Sequence, residues 1–217
     1  GLAAAGLHPV VALYSTFLNR AFDQVLMDVA LHRMGVTIVL DRSGITGPDG
    51  PSHHGVWDLA LMSLVPGLRL AAPRDGTRLR QALATAVAVD DGPTVVRYSK
   101  ELVPDDIPAL RSVSGIDIVA TGPAASVLVV AVGQVVPMAL EVATRLNREG
   151  IDVTVADPVW ALPINPAFGD LASAYRLIVT LEDGLASAGI GAKLAATLAQ
   201  SGRHVPVIHF GTSDAFL

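Results

Sequence analysis

The residues best suited to chemistry are gathered in one stretch, Asp41-Arg42-Ser43-Gly44-Ile45-Thr46-Gly47-Pro48-Asp49-Gly50-Pro51-Ser52-His53-His54-Gly55. Between Arg42 and His54 it brings together a guanidinium, a carboxylate and two imidazoles, a set able to hold an anion and exchange protons near neutrality. Its glycines and prolines fix a tight, exposed path that lets backbone N–H groups approach a ligand. On composition alone the same stretch reads equally well as a solvated crossover loop, because Gly, Pro and Asp are common there. A second dense patch is Tyr14-Ser15-Thr16-Phe17-Leu18-Asn19-Arg20-Ala21-Phe22-Asp23-Gln24. Here Ser15 or Thr16 could cap a helix and Phe17 and Phe22 could be core, the reading that spacing alone favours.

Both patches follow apolar, β-branched runs, and such runs alternate along the chain with segments of helical period, as in βαβ units. Strands are expected at Val10–Tyr14, Val36–Asp41, Leu68–Ala72 and Thr94–Tyr98, with helices at Asn19–Arg33, Trp57–Leu64 and Asp75–Val89. After a Pro-rich, acidic stretch with a short strand signal at Ile116–Ala120, the alternation restarts. Strands are then expected at Val127–Val132, Val153–Ala156, Leu177–Leu181 and Val205–Phe210, with helices at Val136–Arg148, Pro166–Ala174 and Ala186–Gln200. The fold expected is two consecutive three-layer α/β domains with mainly parallel sheets, at 1–103 and 126–217, joined by a connection over 104–125. Ligands in such sheets bind at the carboxyl ends of the strands, so the two patches should lie side by side. Gly1–Leu7 resembles the end of a helix, which suggests a first domain incomplete at its start.

The chain has 217 residues, 51% hydrophobic and 16% charged, with a net charge of -5 and no cysteine. No Lys/Arg cluster appears, which argues against nucleic acid. No apolar run is long enough to span a membrane, and the chain does not open like a signal peptide. Absence of cysteine excludes disulfides and thiolate chemistry and is compatible with a cytoplasmic location. The high apolar content also fits a subunit contact. No convergent polar cluster is evident after residue 125, so the second domain is expected to serve a homodimer contact rather than to touch reacting groups.

The two patches, with Leu-Asp-Arg at 40–42, Gly-Pro-Asp-Gly-Pro-Ser-His-His-Gly at 47–55, Val-Pro-Gly-Leu-Arg-Leu-Ala-Ala-Pro-Arg-Asp at 65–75 and Asp-Asp-Gly-Pro-Thr-Val-Val-Arg-Tyr at 90–98, resemble the 1-deoxy-D-xylulose-5-phosphate synthases. A looser likeness continues through 155–163 and 179–183. The resemblance implies a transketolase-like pyrimidine-binding domain followed by a C-terminal domain. It also implies a homodimeric transferase using thiamine diphosphate and Mg²⁺ to condense pyruvate with glyceraldehyde 3-phosphate, releasing CO2, for isoprenoid synthesis. Carried over by motif, Phe17 and Arg20 would face the cofactor's pyrimidine ring. Asp49 and His53 would line the reaction centre, with His53 the proton-transfer group. Tyr14, Arg42 and Arg97 would hold the triose phosphate, for which arginine's planar fork is suited; a structural salt bridge is the competing reading for either arginine.

The resemblance places the family's ring-protonating glutamate, and its diphosphate- and Mg²⁺-binding domain, upstream of the position of Gly1. The expectation is no metal ligand among these residues and no activity from the 217 residues alone. The chain departs from the family pattern in both halves: the family's Asp-Pro-Arg-Trp is here Asp157-Pro158-Val159-Trp160, and at the end of the first domain Ser99-Lys100-Glu101 replaces a Pro and basic-Gly pair. Another transketolase-like thiamine enzyme, a 2-oxo-acid dehydrogenase β chain, and a non-catalytic dimerisation remnant therefore stand as alternatives.

Overall fold

The computed structural model describes all 217 residues and arranges them around two sheets. The first half supplies β1 (Val10–Tyr14), α1 (Leu18–Asp23), β2 (Val36–Asp41), α2 (Asp58–Met62), β3 (Arg69–Ala71), α3 (Gly76–Val87) and β4 (Pro93–Arg97). Past Asp23, α1 continues through Gln24–Ala30 with a wider winding, in which Leu31 N–H reaches the Leu26 carbonyl at 3.1 Å. The second half supplies β5 (Arg111–Val113), β6 (Ile116–Thr121), β7 (Val127–Ala131), α4 (Val136–Arg148), β8 (Val153–Asp157), β9 (Trp160–Leu162), α5 (Phe168–Ala172), β10 (Leu177–Leu185), α6 (Ile190–Gln200) and β11 (Val207–Thr212).

Strand order in the first sheet is β1-β2-β4-β3-β9, and in the second β11-β10-β7-β8-β6-β5. Strands β1 to β4 are mutually parallel, and so are β7, β8, β10 and β11. All five residues of β4 and all five of β8 are buried, as expected of central parallel strands covered on both faces, and each ends on a charged residue, Arg97 or Asp157, at the rim. Helix α3 begins where the Asp75 carboxylate accepts the Arg78 N–H at 2.7 Å. It buries Ala82 and Ala86 against Ala71 and Val96. Helix α4 buries Val136, Ala139 and Ala143 on one stripe against Val129, Val153 and Val155.

Three features differ from the sequence expectation. Within the connection expected over 104–125, residues 111–121 form the β5–β6 hairpin, which edges the second sheet in antiparallel pairing. The short β9 leaves the second half and pairs antiparallel with β3 at Leu70 and Ala71. Three residues carry no readable period, and unlike β3, which lies in the mainly apolar run Leu68–Ala72, β5 and β9 are each followed directly by a polar residue or a proline, so neither is expected from sequence. Helix α6 starts at Ile190 rather than Ala186, because β10 runs on to Leu185.

The halves share one core. Val132, Ala161, Leu162 and Ile190 from the second half pack with Leu18, Leu40, Leu59 and Leu70 from the first. Full burial of such side chains contributes roughly 1.5–3 kcal/mol each, so the halves are strongly coupled.

Candidate functional site

The parallel register sets Tyr14 opposite Asp41 and Leu40 opposite Arg97, so the chain leaves β1, β2 and β4 along one rim. The two patches do lie side by side there. The Tyr14 hydroxyl donates to Asp49 Oδ2 at 2.9 Å, and Lys100 Nζ donates to the same oxygen at 3.1 Å. The hydrogen bond from Lys100, then that from Tyr14, holds the Asp49 carboxyl below its ordinary range. Desolvation, and then the bond to Asp49, pushes the Tyr14 hydroxyl up. Arg42 adopts φ 60°, a left-handed conformation uncommon outside glycine and frequent where a site dictates backbone geometry. Its guanidinium pairs with Asp41 and stands 4.9 Å from the centre of the Tyr14 ring.

The His53 ring lies edge-on to Tyr14 and Phe17, with centroids 5.6 and 6.1 Å away, and Ser52 Oγ is 2.9 Å from its Nδ1. Phe17 keeps 45% of its surface exposed, and Arg20 is exposed further along α1. The neighbouring His54 is buried, and its Nδ1 accepts from Thr46 N–H at 3.1 Å. That bond assigns the His54 proton to Nε2 and makes this imidazole a fastener of the loop. Thus Tyr14, Arg42, Asp49 and His53 converge, with Phe17 at their side and Lys100 as an added cation. The sequence marks Lys100 as a departure from the family pattern and not as a site residue, although its place three residues beyond β4 puts it on the same rim.

Arg97 stands elsewhere. Expected to face a phosphate beside Arg42, it is only 3% exposed, donating from Nε to Asp58 Oδ2 at 2.8 Å and from Nη1 to Asp183 Oδ1 at 2.7 Å. Its Nη2 is buried without a partner. Asp58, at the first turn of α2, also accepts from Ser43 Oγ (2.9 Å), Ser15 Oγ (3.2 Å) and Leu59 N–H (2.8 Å). A single carboxylate therefore fastens both rim loops, through Ser15 of one and Ser43 of the other. Asp183 further accepts from Gln134 Nε2. The second half does contribute polar groups, contrary to expectation: Gln134 and Asp183 meet the first half at this junction. Their separation in sequence hid the junction.

A second arginine bridges the halves. Arg74, 2% exposed, donates from Nη1 to Asp117 Oδ2 (2.8 Å) and Asp157 Oδ2 (2.7 Å), and from Nε and Nη2 to the Ile107 carbonyl (2.9 and 2.7 Å). Asp157 belongs to the altered Asp-Pro-Val-Trp segment. There Val159 takes φ 56° and its carbonyl accepts Ala72 N–H at 2.8 Å, joining β3 to the turn before β9.

Glu182 caps α6, its two carboxylate oxygens accepting from Ile190 N–H (2.9 Å) and Gly191 N–H (2.8 Å). Burial pushes its carboxyl up to about 7, outweighing those two bonds. Because the unfolded carboxyl titrates near 4.3, the folded chain holds the extra proton between about pH 4.3 and 7. Stability from this group is therefore fully present below that window and is lost as pH rises through it, by on the order of 3 kcal/mol at most. Denaturant midpoints measured from pH 4.5 to 8 should show this fall in the native chain. In Glu182→Gln the fall should be flattened, and an unchanged slope would contradict the assignment.

The fold and the rim define a pair of transketolase-type domains. Residues 1–106 match the family model of the transketolase pyrimidine-binding domain and residues 117–217 that of the transketolase C-terminal domain, so the chain belongs to the transketolase family. Its sequence is 56% identical over 218 residues to 1-deoxy-D-xylulose-5-phosphate synthase of Clavibacter sepedonicus, covering 100% of this chain and 34% of that protein. The corresponding protein of Leifsonia xyli is 54% identical over the same coverage. Among solved structures, a split-gene transketolase, described as an inactive beta4 tetramer, is 26% identical with a TM-score of 0.85, covering 99% of this chain and 70% of that one. The chain spans about a third of the length of the curated relatives it matches.

Proposed function

We propose that this chain provides the pyrimidine-binding and acceptor side of a thiamine-diphosphate-dependent synthase, which condenses pyruvate with glyceraldehyde 3-phosphate to 1-deoxy-D-xylulose 5-phosphate and CO2. The observation that carries the reading is the rim cluster, where Asp49, His53, Tyr14 and Arg42 meet beside the open Phe17 ring. The residues present fit the ring half of the cofactor, since Phe17 offers an uncovered aromatic face with His53 against it and Arg20 nearby. No three acidic or histidine side chains converge as metal ligands. The diphosphate and Mg²⁺ are assigned, on the resemblance alone, to the family's diphosphate-binding domain. When bound, the cofactor supplies a stabilised carbanion at its thiazolium carbon.

This chain's own groups then act on the acceptor. Arg42 and Tyr14 receive the triose phosphate. Asp49, kept ionised by Lys100 and Tyr14, orients Tyr14 through its hydroxyl. His53 gives a proton to the acceptor's carbonyl oxygen as the new C–C bond forms. Ile208 and Phe210 leave an exposed apolar stretch on the edge strand β11, which supports a homodimer. No helix is long and apolar enough to cross a membrane, and a cytoplasmic location is part of the same reading.

Product analysis tests it. The protein carrying this chain, given thiamine diphosphate, Mg²⁺, pyruvate and glyceraldehyde 3-phosphate, should release CO2 and form the five-carbon ketose phosphate in equal amounts. Ketol transfer from a sugar phosphate without CO2 release would assign it to the transketolases instead.

A further inference from the structure

The rim loop 42–55 is not held by its own half alone. Gly44, at φ 80°, packs against the second half: a β-carbon there would collide with the Asp183 carboxylate and lie 2.7 Å from Gln134 Nε2. Gly44 and Gly55 exchange two backbone hydrogen bonds, of 3.0 and 2.8 Å, which close the loop at its base. From Asp183 the contacts continue through Arg97 to Asp58, and from Asp58 to Ser43 and Ser15, the roots of the two loops that place Asp49, His53, Tyr14 and Phe17.

We propose that Asp183, oriented by Gln134, is a positioning residue by which the C-terminal half sets the geometry of the reaction loop. The proposal rests on the reading of loop 42–55 as the reaction loop, while the loop's anchoring stands on the contacts themselves. Asp183 touches no reacting group. It acts in two ways, by providing the surface on which Gly44 rests and by fixing Arg97 so that Asp58 can hold Ser43 and Ser15 together. Gln134 donates to the Asp183 oxygen nearest Gly44, leaving the other for Arg97. The geometry also dictates that position 44 be glycine, because of both the left-handed backbone and the carboxylate against it.

Amide hydrogen exchange on the 217-residue chain, without cofactor or substrate, tests this directly. In Asp183→Asn, which preserves shape and removes charge, exchange at Gly44 and Gly55 should accelerate about tenfold or more. Val130 and Val155, in the strands of the second sheet, should keep their protection. The His53 ring-proton shifts caused by the Phe17 and Tyr14 rings should move toward those of a free imidazole. Gln134→Ala, which leaves the Asp183–Arg97 pair intact, should give a smaller change of the same pattern, and it decides the question by the same criteria if Asp183→Asn does not fold. Unchanged Gly44 and Gly55 amides would overturn the proposal, and so would an equal acceleration at all four sites, the signature of a purely structural role. A loosened loop together with a negative product assay would retain the positioning role and remove the proposed reaction.

Discussion

Arg74→Met is expected to lower the stability of the chain by about 3–5 kcal/mol, the cost typical of removing one partner from a buried ion network. Methionine restores most of the volume but leaves Asp157 fully buried without its cation, leaves Asp117 with only Arg78, and frees the Ile107 carbonyl. For a chain of this size the loss corresponds to a fall in Tm of roughly 6–20 °C. Adding Asp117→Asn and Asp157→Asn to Arg74→Met should recover part of it, because the cost lies mainly in unpaired charge. Arg74→Lys should fall between, since one ammonium keeps the charge but cannot span two carboxylates and a carbonyl as the guanidinium does. A loss under about 1 kcal/mol by denaturant titration would show that Arg74 is dispensable to the junction.

The second large effect concerns the acceptor phosphate. In the proposed reaction, Arg42→Ala should reduce kcat/KM for glyceraldehyde 3-phosphate by roughly tenfold to 150-fold. A charge-assisted hydrogen bond contributes about 1.5–3 kcal/mol, and each 1.36 kcal/mol is a factor of ten. Arg42→Lys should recover part of the loss, keeping the charge without the fork. Glyceraldehyde, which lacks the phosphate, should react poorly and almost equally with both proteins. If the two acceptors lose rate alike, Arg42 acts by holding Tyr14 rather than by gripping phosphate. Arg97→Ala should differ from Arg42→Ala in acting through the fold, since it strips the cation from Asp58 and Asp183.

These two arginines show where sequence was informative and where it was not. Arg42 and Arg97 both follow apolar strands on the same rim, and nothing local separates an arginine turned outward from one folded beneath the loops. The difference lies in Asp183, 86 positions from Arg97. Arg74 and Asp157 are likewise 83 positions apart, each inside a recognisable motif whose structural purpose appears only when the sheets are assembled. Long elements with a clear period were legible: Val10–Tyr14, Val36–Asp41 and Val136–Arg148 occur as expected. The adjacency of the two rim loops followed from strand order, which a parallel sheet with consecutive strands makes simple. Asp58 was invisible as an anchor because an acidic residue in the first turn of a helix is already accounted for by the helix dipole.

Strand β9 gives the chain an unusual kind of continuity. Residues 101–106 form an exposed tether, with Leu102 93% exposed, whereas β9 crosses back to complete the sheet of the opposite half. A protease that nicked this tether would cut the covalent link and leave the non-covalent one, since β9, the shared core and both arginine networks do not depend on the peptide at 101–106. The two pieces would remain together as a heterodimer. Either piece made alone would present an uncovered strand edge and an apolar face, the features that lead to aggregation.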